Sequence, residues 1–308
     1  MKQSLKSKLI LGLLQNRQLF KLKLHKPPFD SSLEGIRRLR ATTEDAGLKF
    51  GKLPAGLSIQ PVQIGPLYAE WVKMPGNDET RVILYFHGGM YLIGSAQGHR
   101  IHVAKFVKGT AINAIVFNYG LAPENPFPKG LNDALSAYCY LLENNFKPEN
   151  IVFTGDSAGG GLCLATLLAI RDKGLPMPAA AAVLSPWTDL TLSGDSYSNN
   201  EKSCLSPIGS AQSASEYYCG LNDRKNPFIS PLFGELRELP PLHISVGSKE
   251  ILLDDSVSFA RKAIDAGVDV TLIIGEGMCH CFPAFGNLFP EAKAAHNEIC
   301  LFLRKHSG

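Results

Sequence analysis

The sequence predicts an α/β protein with a doubly wound, mostly parallel sheet of eight strands. Short apolar runs rich in β-branched and aromatic residues alternate with longer segments of helical periodicity along most of the chain. A glycine-flanked serine stands between one such run and the helix that follows it. The length of 308 residues favours one large core over two independent ones. Right-handed crossovers place the carboxyl ends of parallel strands at one edge, where we expect the site residues.

The composition is that of an ordinary globular protein, with 45% hydrophobic and 19% charged residues. The net charge of +3 is small and mostly scattered, which gives no electrostatic reason to expect a nucleic-acid partner. Seven cysteines form an odd set without C-x-x-C spacing, so they predict small buried side chains in a reducing, cytoplasmic compartment and no metal site. The Cys279-His280-Cys281 run does not change this, because adjacent side chains on an extended segment point in opposite directions.

The N-terminal residues 1–24 predict a basic amphipathic helix. Lysines and arginines surround an apolar run at 9–14, which is too short to span a bilayer or to act as a signal peptide. Such a helix fits a lid over the sheet edge or a weak contact with a membrane surface. A charged helical stretch follows Pro27-Pro28, so we assign residues 1–54 to an N-terminal cap segment and residues 55–308 to the main domain.

The remaining elements follow from the apolar pattern. Residues 57–74 predict an antiparallel hairpin at a sheet edge, with its turn at Gly65-Pro66. Residues 191–225 lack strand character and hold one predicted helix at 207–221, so we expect them to form an insertion above the sheet. The other predicted strands are 82–86, 112–119, 151–154, 180–184, 242–246 and 270–274, and the other predicted helices are 99–108, 131–143, 158–171, 254–266 and 291–304.

The pentapeptide Gly155-Asp156-Ser157-Ala158-Gly159 has the pattern G-x-S-x-G between a predicted strand and a predicted helix. The glycines permit a tight turn, which lifts the hydroxyl out of the sheet and directs the first N–H groups of the helix toward whatever the hydroxyl attacks. The alternative is a glycine-rich loop with an unreactive serine, but such a loop does not require this strand and helix. Ser157 is therefore the candidate nucleophile.

A serine hydroxyl needs an imidazole to accept its proton and a carboxylate to orient that imidazole. Of the eight histidines, only His280 lies in a loop after the last predicted strand, so it is the candidate base. His296 lies in the final helix, where we expect a solvated side chain. The chain order of nucleophile, acid and histidine then places the acid between Ser157 and His280.

Several carboxylates compete for the role of the acid. Glu250 stands nearest the end of the strand at 242–246 and is preferred. Asp254 and Asp255 begin the next helix, where carboxylates stabilise the positive end of the helix dipole without any catalytic role. Asp189, after the preceding strand, is a weaker rival.

His87-Gly88-Gly89 follows the strand at 82–86 and fits a different role. A tetrahedral acyl intermediate carries an oxyanion, and glycines let backbone N–H groups approach it without a Cβ in the way. The N–H groups of Gly88, Gly89 and Ala158 are therefore predicted to form a three-donor oxyanion hole. The simpler interpretation is a plain Gly-Gly turn after a strand.

A family resemblance rests on motifs in a fixed order: HGGM at 87–90, NYGLAPENPFP at 118–128, GDSAGG at 155–160, SPWTDL at 185–190 and GMCHCF at 277–282. With them the chain, from about residue 55 onward, resembles the hormone-sensitive-lipase-like branch of the α/β-hydrolases, a group of bacterial carboxylesterases and lipases. The resemblance implies an α/β-hydrolase fold and catalysis by Ser157 and His280. It also implies an oxyanion hole at Gly88, Gly89 and Ala158, and a helical cap made of the N-terminal segment and the 191–225 insertion.

The chain departs from the family pattern at a few positions. The usual acid stands in a D-P-L-x-D-E context, and GSKEILLDD aligns Glu250 with the first aspartate, so the chain is similar to the minority of members with a glutamate. Gly120 and Asn125 replace the usual arginine and histidine. Met90 replaces the third glycine of the HGG loop and is expected to narrow the acyl pocket.

These observations predict a serine hydrolase of short- to medium-chain carboxylic esters that uses no metal and no cofactor. Its expected partner is a small-molecule ester, with no nucleic acid and no transmembrane segment, and a homodimer stays open. An amide or lactone hydrolase would use the same residues and is an alternative. So is a small-molecule receptor on the same scaffold, although the family's receptors lose the base and this chain retains His280.

Overall fold

The computed structural model describes residues 3–16, 28–49, 52–207 and 209–308. The strands of this part of the chain are β1 (Ser58–Ile64), β2 (Leu67–Lys73), β3 (Asp78–Phe86), β4 (Ile112–Phe117), β5 (Ile151–Asp156), β6 (Ala180–Leu184), β7 (Leu242–Gly247) and β8 (Val270–Gly275). The α-helices are α1 (Leu5–Gln15), α2 (Leu33–Lys49), α3 (Ala96–Thr110), α4 (Lys129–Glu143), α5 (Ala158–Asp172), α6 (Ser196–Asn199), α7 (Ser210–Cys219), α8 (Leu253–Asp265) and α9 (Pro290–His306).

All eight strands belong to one sheet, in the order β1-β2-β4-β3-β5-β6-β7-β8. The β1–β2 hairpin lies at one edge, as predicted, and β2 pairs antiparallel with both of its neighbours. Every other pairing is parallel. The predicted mostly parallel, doubly wound sheet is confirmed, and the carboxyl ends of β3 to β8 meet at one edge.

Helices cover both faces of the sheet. One face packs against α3 and α9 through side chains such as Phe106 and Leu303. The other packs against α4, α5 and α8, with Leu162 and Phe259 in its core. The central strands are apolar on both sides because both sides are covered.

Strand β3 shows how alternate residues serve the two cores. Ile83 and Tyr85 pack on the α3–α9 side, whereas Leu84 and Phe86 pack on the opposite side. The residues that follow β3, starting at His87, therefore lie at the carboxyl edge of the sheet.

Several predicted bounds change by a few residues, and β3 begins at Asp78 instead of residue 82. Helix α3 begins at Ala96 instead of residue 99, because the Ser95 side chain accepts a hydrogen bond from Gly98 N and acts as the N-cap. The 191–225 insertion holds two helices, α6 and α7, where one was predicted. Six of the seven cysteines are buried, as expected, and Cys139 is partly exposed.

The expectation that His296 is solvated is wrong. Its residue is 9% exposed, and its ring lies 4.8 Å from that of Phe106. Its Nε2 lies 3.3 Å from the carbonyl oxygen of Lys105. Helix α9 buries this face against α3, which no pattern within α9 alone reveals.

The N-terminal helix α1 packs beside the loop that follows β8. Leu11 is buried in a small cluster with Met278 and Phe289. The Gln3 amide donates to the carbonyl oxygen of Gly277 at 3.1 Å, and that of Gln15 donates to Ser203 at 3.0 Å. The predicted basic residues beyond α1, at 17–26, lie outside the described residues. In the part of the chain that the structure describes, no helix is long and apolar enough to cross a bilayer.

Candidate active site

The turn between β5 and α5 carries Ser157. Its backbone has φ 57° and ψ −124°, a conformation that L-residues rarely adopt and that aims the side chain away from both elements. A Cβ on Gly159 would lie 2.2 Å from the carbonyl oxygen of Phe86, so only glycine allows α5 to approach β3 this closely. Ser157 N donates to Leu184 O at 2.8 Å, which fixes the turn to the end of β6.

His280 and Glu250 come together at the same edge. His280 follows β8, and its Nδ1 donates to Glu250 Oε2 at 2.5 Å. Glu250 follows β7 and is fully buried, and its Oε1 accepts from Gly247 N at 2.6 Å and from Ser185 Oγ at 2.7 Å. Both carboxylate oxygens are therefore occupied, and the imidazole is held by a charge-assisted hydrogen bond.

The other candidate carboxylates accept hydrogen bonds from groups other than His280. Asp254 and Asp255 lie in the first turn of α8, as predicted. Asp254 Oδ2 accepts from Ser196 N in the insertion at 2.8 Å. Asp255 Oδ2 accepts from the N–H groups of Thr188 and Asp189 at 2.9 and 2.8 Å.

Asp189 in turn accepts hydrogen bonds from Thr191 and Ser193 in its own loop. Glu250 is the carboxylate that contacts His280.

The hydroxyl of Ser185 links Glu250 to Cys281, the residue after His280, and the sequence analysis does not select it as a site residue. It donates to Glu250 Oε1 and accepts from Cys281 N at 2.9 Å. Ser185 itself has φ 47° at the carboxyl end of β6. That strand-end position is the signal that would have found it, since it is the position that selected Glu250 and His280.

The HGG loop lies beside the serine turn. A Cβ on Gly89, which has φ 127°, would lie 2.1 Å from Ile93 O, so this position needs glycine. Gly88 N, predicted as an oxyanion donor, donates to Asp156 Oδ1 at 3.1 Å. In the sequence Asp156 is only the variable residue of G-x-S-x-G, yet in the structure its carboxylate holds this loop.

Asp156 lies near three histidines, of which His87 is buried and His99 and His102 are partly exposed. Its Oδ1 also accepts from the Tyr85 hydroxyl at 2.8 Å, and its Oδ2 lies 4.0 Å from His99 Nε2. Burial raises the pKa of Asp156, but His99, His102 and the Tyr85 hydroxyl lower it by more, so the net pKa is below its ordinary value. Asp156 therefore remains ionised near neutral pH.

His87, at the start of the loop, is structural. Burial lowers the pKa of His87 to about 3, so its imidazole is neutral. Its ring stacks on Tyr119 at 4.2 Å, and the Tyr119 hydroxyl donates to its carbonyl oxygen at 2.8 Å. These contacts with Tyr119 fix the start of the glycine loop.

A family model for the α/β-hydrolase fold matches residues 83–284, which span all of these features. The chain belongs to the α/β-hydrolase family. Within it, the chain is similar to members of the hormone-sensitive-lipase branch. A solved esterase of the bacterial hormone-sensitive lipase family superposes with a TM-score of 0.89 and 34% identity, covering 100% of both chains.

Other relatives carry hydrolase names. The chain is 39% identical to an acetyl-hydrolase of Streptomyces hygroscopicus, over 80% of this chain and 83% of the relative. It is 36% identical to an esterase of Acinetobacter venetianus, over 80% of this chain and 82% of the relative. The structure of EstE5 soaked with p-nitrophenyl butyrate has a TM-score of 0.90 and 36% identity, with 99% of each chain covered. The chain is a carboxylic ester hydrolase of this family.

The pKa of His280, the candidate base, and the contacts of its ring describe how it is held in this α/β-hydrolase. Burial lowers the pKa of His280, but the Cys281 sulfur and the Glu250 carboxylate raise it by more, so the pKa lies well above its ordinary value. His280 Nε2 lies 3.5 Å from Cys281 Sγ. Among the described residues, Ser157 Oγ makes no hydrogen bond. The candidate acid Glu250 and the candidate base His280 are thus joined to each other, but the structure shows no hydrogen bond from His280 to the candidate nucleophile Ser157.

A cavity of about 110 Å³ lies between the insertion and the acid loop. Leu192, Tyr197, Cys204, Ala211 and Ile251 give it apolar walls. Ile251 directly follows Glu250, but Ser157, Glu250 and His280 do not line this cavity. Within the described residues, no group of three metal-ligating side chains comes together.

Proposed function

We propose that the protein is a serine carboxylesterase that hydrolyses short- to medium-chain carboxylic esters through an acyl-enzyme intermediate. The observation that carries the proposal is the hydrogen bond from His280 Nδ1 to the buried Glu250 at the edge where the Ser157 turn lies. A carboxylate in this position fixes the imidazole tautomer that leaves Nε2 able to accept a proton.

The reaction begins at Ser157. Its Oγ attacks the ester carbonyl carbon while His280 Nε2 takes the hydroxyl proton, which gives a tetrahedral intermediate with a negative oxygen. His280 then passes that proton to the alkoxy oxygen, the C–O bond breaks, and the alcohol leaves an acyl ester on Ser157. Water attacks this ester with its proton going to His280, and collapse returns the proton to Ser157 and releases the carboxylic acid.

The oxyanion is assigned to backbone donors. Ala158 N is the first N–H of α5, and the helix dipole favours negative charge there. Gly89 N lies in the glycine loop held by His87 and Asp156. Gly88 N already donates to Asp156, so we assign it a supporting role in which its hydrogen bond orients the loop.

A residue beside the glycine loop supports a preference for small acyl or alcohol groups. Met90 lies half-buried at the end of this loop, where its side chain fills space that a glycine would leave open. Relatives named acetyl-hydrolase and ethyl acetate hydrolase support the same preference for small esters.

The test combines turnover with covalent labelling. We expect p-nitrophenyl esters from acetate to hexanoate to be hydrolysed faster than the laurate ester, and a fluorophosphonate to label the protein. Ser157→Ala should remove both labelling and turnover, whereas Ser136→Ala, an exposed hydroxyl on α4, should change neither. Labelling that survives Ser157→Ala would refute the nucleophile, and binding of esters without turnover would favour the receptor alternative.

A further inference from the structure

Helix α1 is fixed to the protein on one side. Ser7 and Leu11 are buried, and Ser7 Oγ donates to Glu291 Oε1 on α9 at 3.2 Å. The N-cap residue Ser4 contacts the same carboxylate through its N–H and its hydroxyl. The helix therefore has a defined orientation on the protein, and its opposite side faces outward.

The outward side carries a stripe of leucines. Leu5, Leu9 and Leu13 are 79%, 71% and 57% exposed. At 100° per residue they fall within an arc of about 80°, because they are spaced by four. A single exposed leucine needs no explanation, but three in line form an apolar ridge that water does not favour. We call Leu5, Leu9 and Leu13 the leucine ridge.

Lysines flank the leucine ridge on both sides. Lys6 lies about 20° beyond Leu13 on the helical wheel, and Lys8 lies about 60° before Leu5. Both lysines are exposed. An apolar ridge bordered by cations is the arrangement of helices that lie in the interface of an anionic bilayer.

The N-terminal segment and the rest of the chain carry net charges of opposite sign. The first 26 residues hold seven lysines and arginines and no aspartate or glutamate, whereas residues 27–308 hold 24 against 28. An anionic surface therefore attracts the N-terminal segment and repels the remainder. Clusters of four to eight cations on or beside an amphipathic helix are typical of binding to anionic phospholipids.

We propose that α1 docks the protein on an anionic phospholipid bilayer, with the leucine ridge in the headgroup region and Lys6 and Lys8 against the phosphates. The Gln3 side chain of this helix contacts Gly277, three residues before His280. Docking through α1 thus turns the carboxyl edge of the sheet toward the lipid. Esters dissolved in the membrane then have a short path to Ser157. The docking itself does not depend on ester hydrolysis.

The experiment is sedimentation of the full-length protein with vesicles. We expect binding to vesicles of equal phosphatidylglycerol and phosphatidylcholine, little binding to phosphatidylcholine alone, and weaker binding at 0.5 M NaCl. Leu5→Gln/Leu9→Gln/Leu13→Gln should lower the partition coefficient at least tenfold. Lys6→Glu/Lys8→Glu should lower it by a similar factor, since each cation near such a surface contributes about fivefold.

The matched control replaces three exposed leucines elsewhere, as Leu33→Gln/Leu221→Gln/Leu301→Gln, and should bind like the unchanged protein. Turnover of soluble p-nitrophenyl acetate reports that each variant is folded. An unchanged protein that ignores both vesicle types, or a ridge variant that binds as well as the control, overturns the proposal. A dimer in sedimentation velocity that the ridge variant alone converts to monomer would assign the ridge to a second copy and also overturn it. The inactive Ser157→Ala protein should still bind, which separates docking from the proposed hydrolysis.

Discussion

Two histidine–carboxylate pairs lie near the serine turn, His280 with Glu250 and His99 with Asp156, and the two carboxylates bind different groups. In one pair Glu250 Oε2 lies 2.5 Å from His280 Nδ1. In the other, Asp156 Oδ2 lies 4.0 Å from His99 Nε2. The first carboxylate holds an imidazole directly, whereas the second uses its other oxygen to hold a backbone N–H of the glycine loop.

The comparison teaches that proximity of a carboxylate to a histidine does not make it the triad acid. What separates the two pairs is the direct hydrogen bond and the element that each carboxylate positions. In the proposed mechanism Glu250 orients a base that moves protons, whereas Asp156 holds a backbone N–H of the glycine loop that does not transfer a proton. Substitutions in the two pairs should therefore change different kinetic quantities.

The largest effect is expected in the first pair. Glu250→Gln removes the charge that stabilises the imidazolium and permits the wrong tautomer, so kcat should fall by up to about 10⁴-fold. Glu250→Asp keeps the charge but shortens the reach, and should retain partial activity. Steady-state kinetics with p-nitrophenyl butyrate measure both variants. Near-normal turnover by Glu250→Gln would remove the distinction between the two pairs.

The second pair should give a smaller loss. Asp156→Asn weakens the acceptor for Gly88 N and the charge beside His99, so the glycine loop is held less firmly. We expect kcat to fall about 10- to 100-fold with KM little changed, below the 10²- to 10³-fold loss of a whole oxyanion donor. Tyr85→Phe removes one hydrogen bond to the same carboxylate and should cost less. A raised KM with unchanged kcat would mean that Asp156 shapes substrate binding instead.

The pH dependence distinguishes the pairs without relying on rate alone. The base must be neutral to accept a proton, and the pKa of His280 is raised, so kcat/KM should rise with pH through a limb above pH 6.5. Glu250 is one of the groups that raise this pKa, so the residual activity of Glu250→Gln should show the limb at lower pH. Asp156→Asn should leave the limb where it is. A limb that moves in Asp156→Asn and stays in Glu250→Gln would reverse the assignments.

The smallest effect belongs to a carboxylate outside both pairs. Asp254→Asn weakens the start of α8 and the contact with Ser196, which should cost roughly 0.3–1 kcal/mol of unfolding free energy through the helix dipole. Turnover should stay within about threefold of normal. Denaturant unfolding and butyrate kinetics on the same preparation measure the two quantities. If Asp254→Asn abolished turnover while Glu250→Gln spared it, the acid would be Asp254.

The sequence predicts the positions of Ser157, Glu250 and His280 well because each follows a buried strand in a parallel sheet. Strand periodicity and right-handed crossovers are enough to bring such residues to one edge. The strand at 180–184 was predicted with the same bounds for the same reason. These features depend on local patterns and on a topology that has few alternatives.

Asp156 and His296 could not be placed in this way. The role of Asp156 depends on where the loop after β3 passes relative to β5, which is a contact across 68 residues. The burial of His296 depends on the packing of α9 against α3. Both are products of tertiary packing, for which a single strand or helix carries no periodic signal.

Ser185 connects three strand ends at the candidate site. From the end of β6, its one hydroxyl joins the loop after β7 to the loop after β8, through Glu250 Oε1 and Cys281 N. Hydrogen bonds from Lys249 N to Met278 O and from Gly277 N to Ser248 Oγ join the same two loops. Because several bonds hold these loops together, a local opening at any one of them leaves the others in place. Heating should therefore inactivate the enzyme in the same transition that unfolds it.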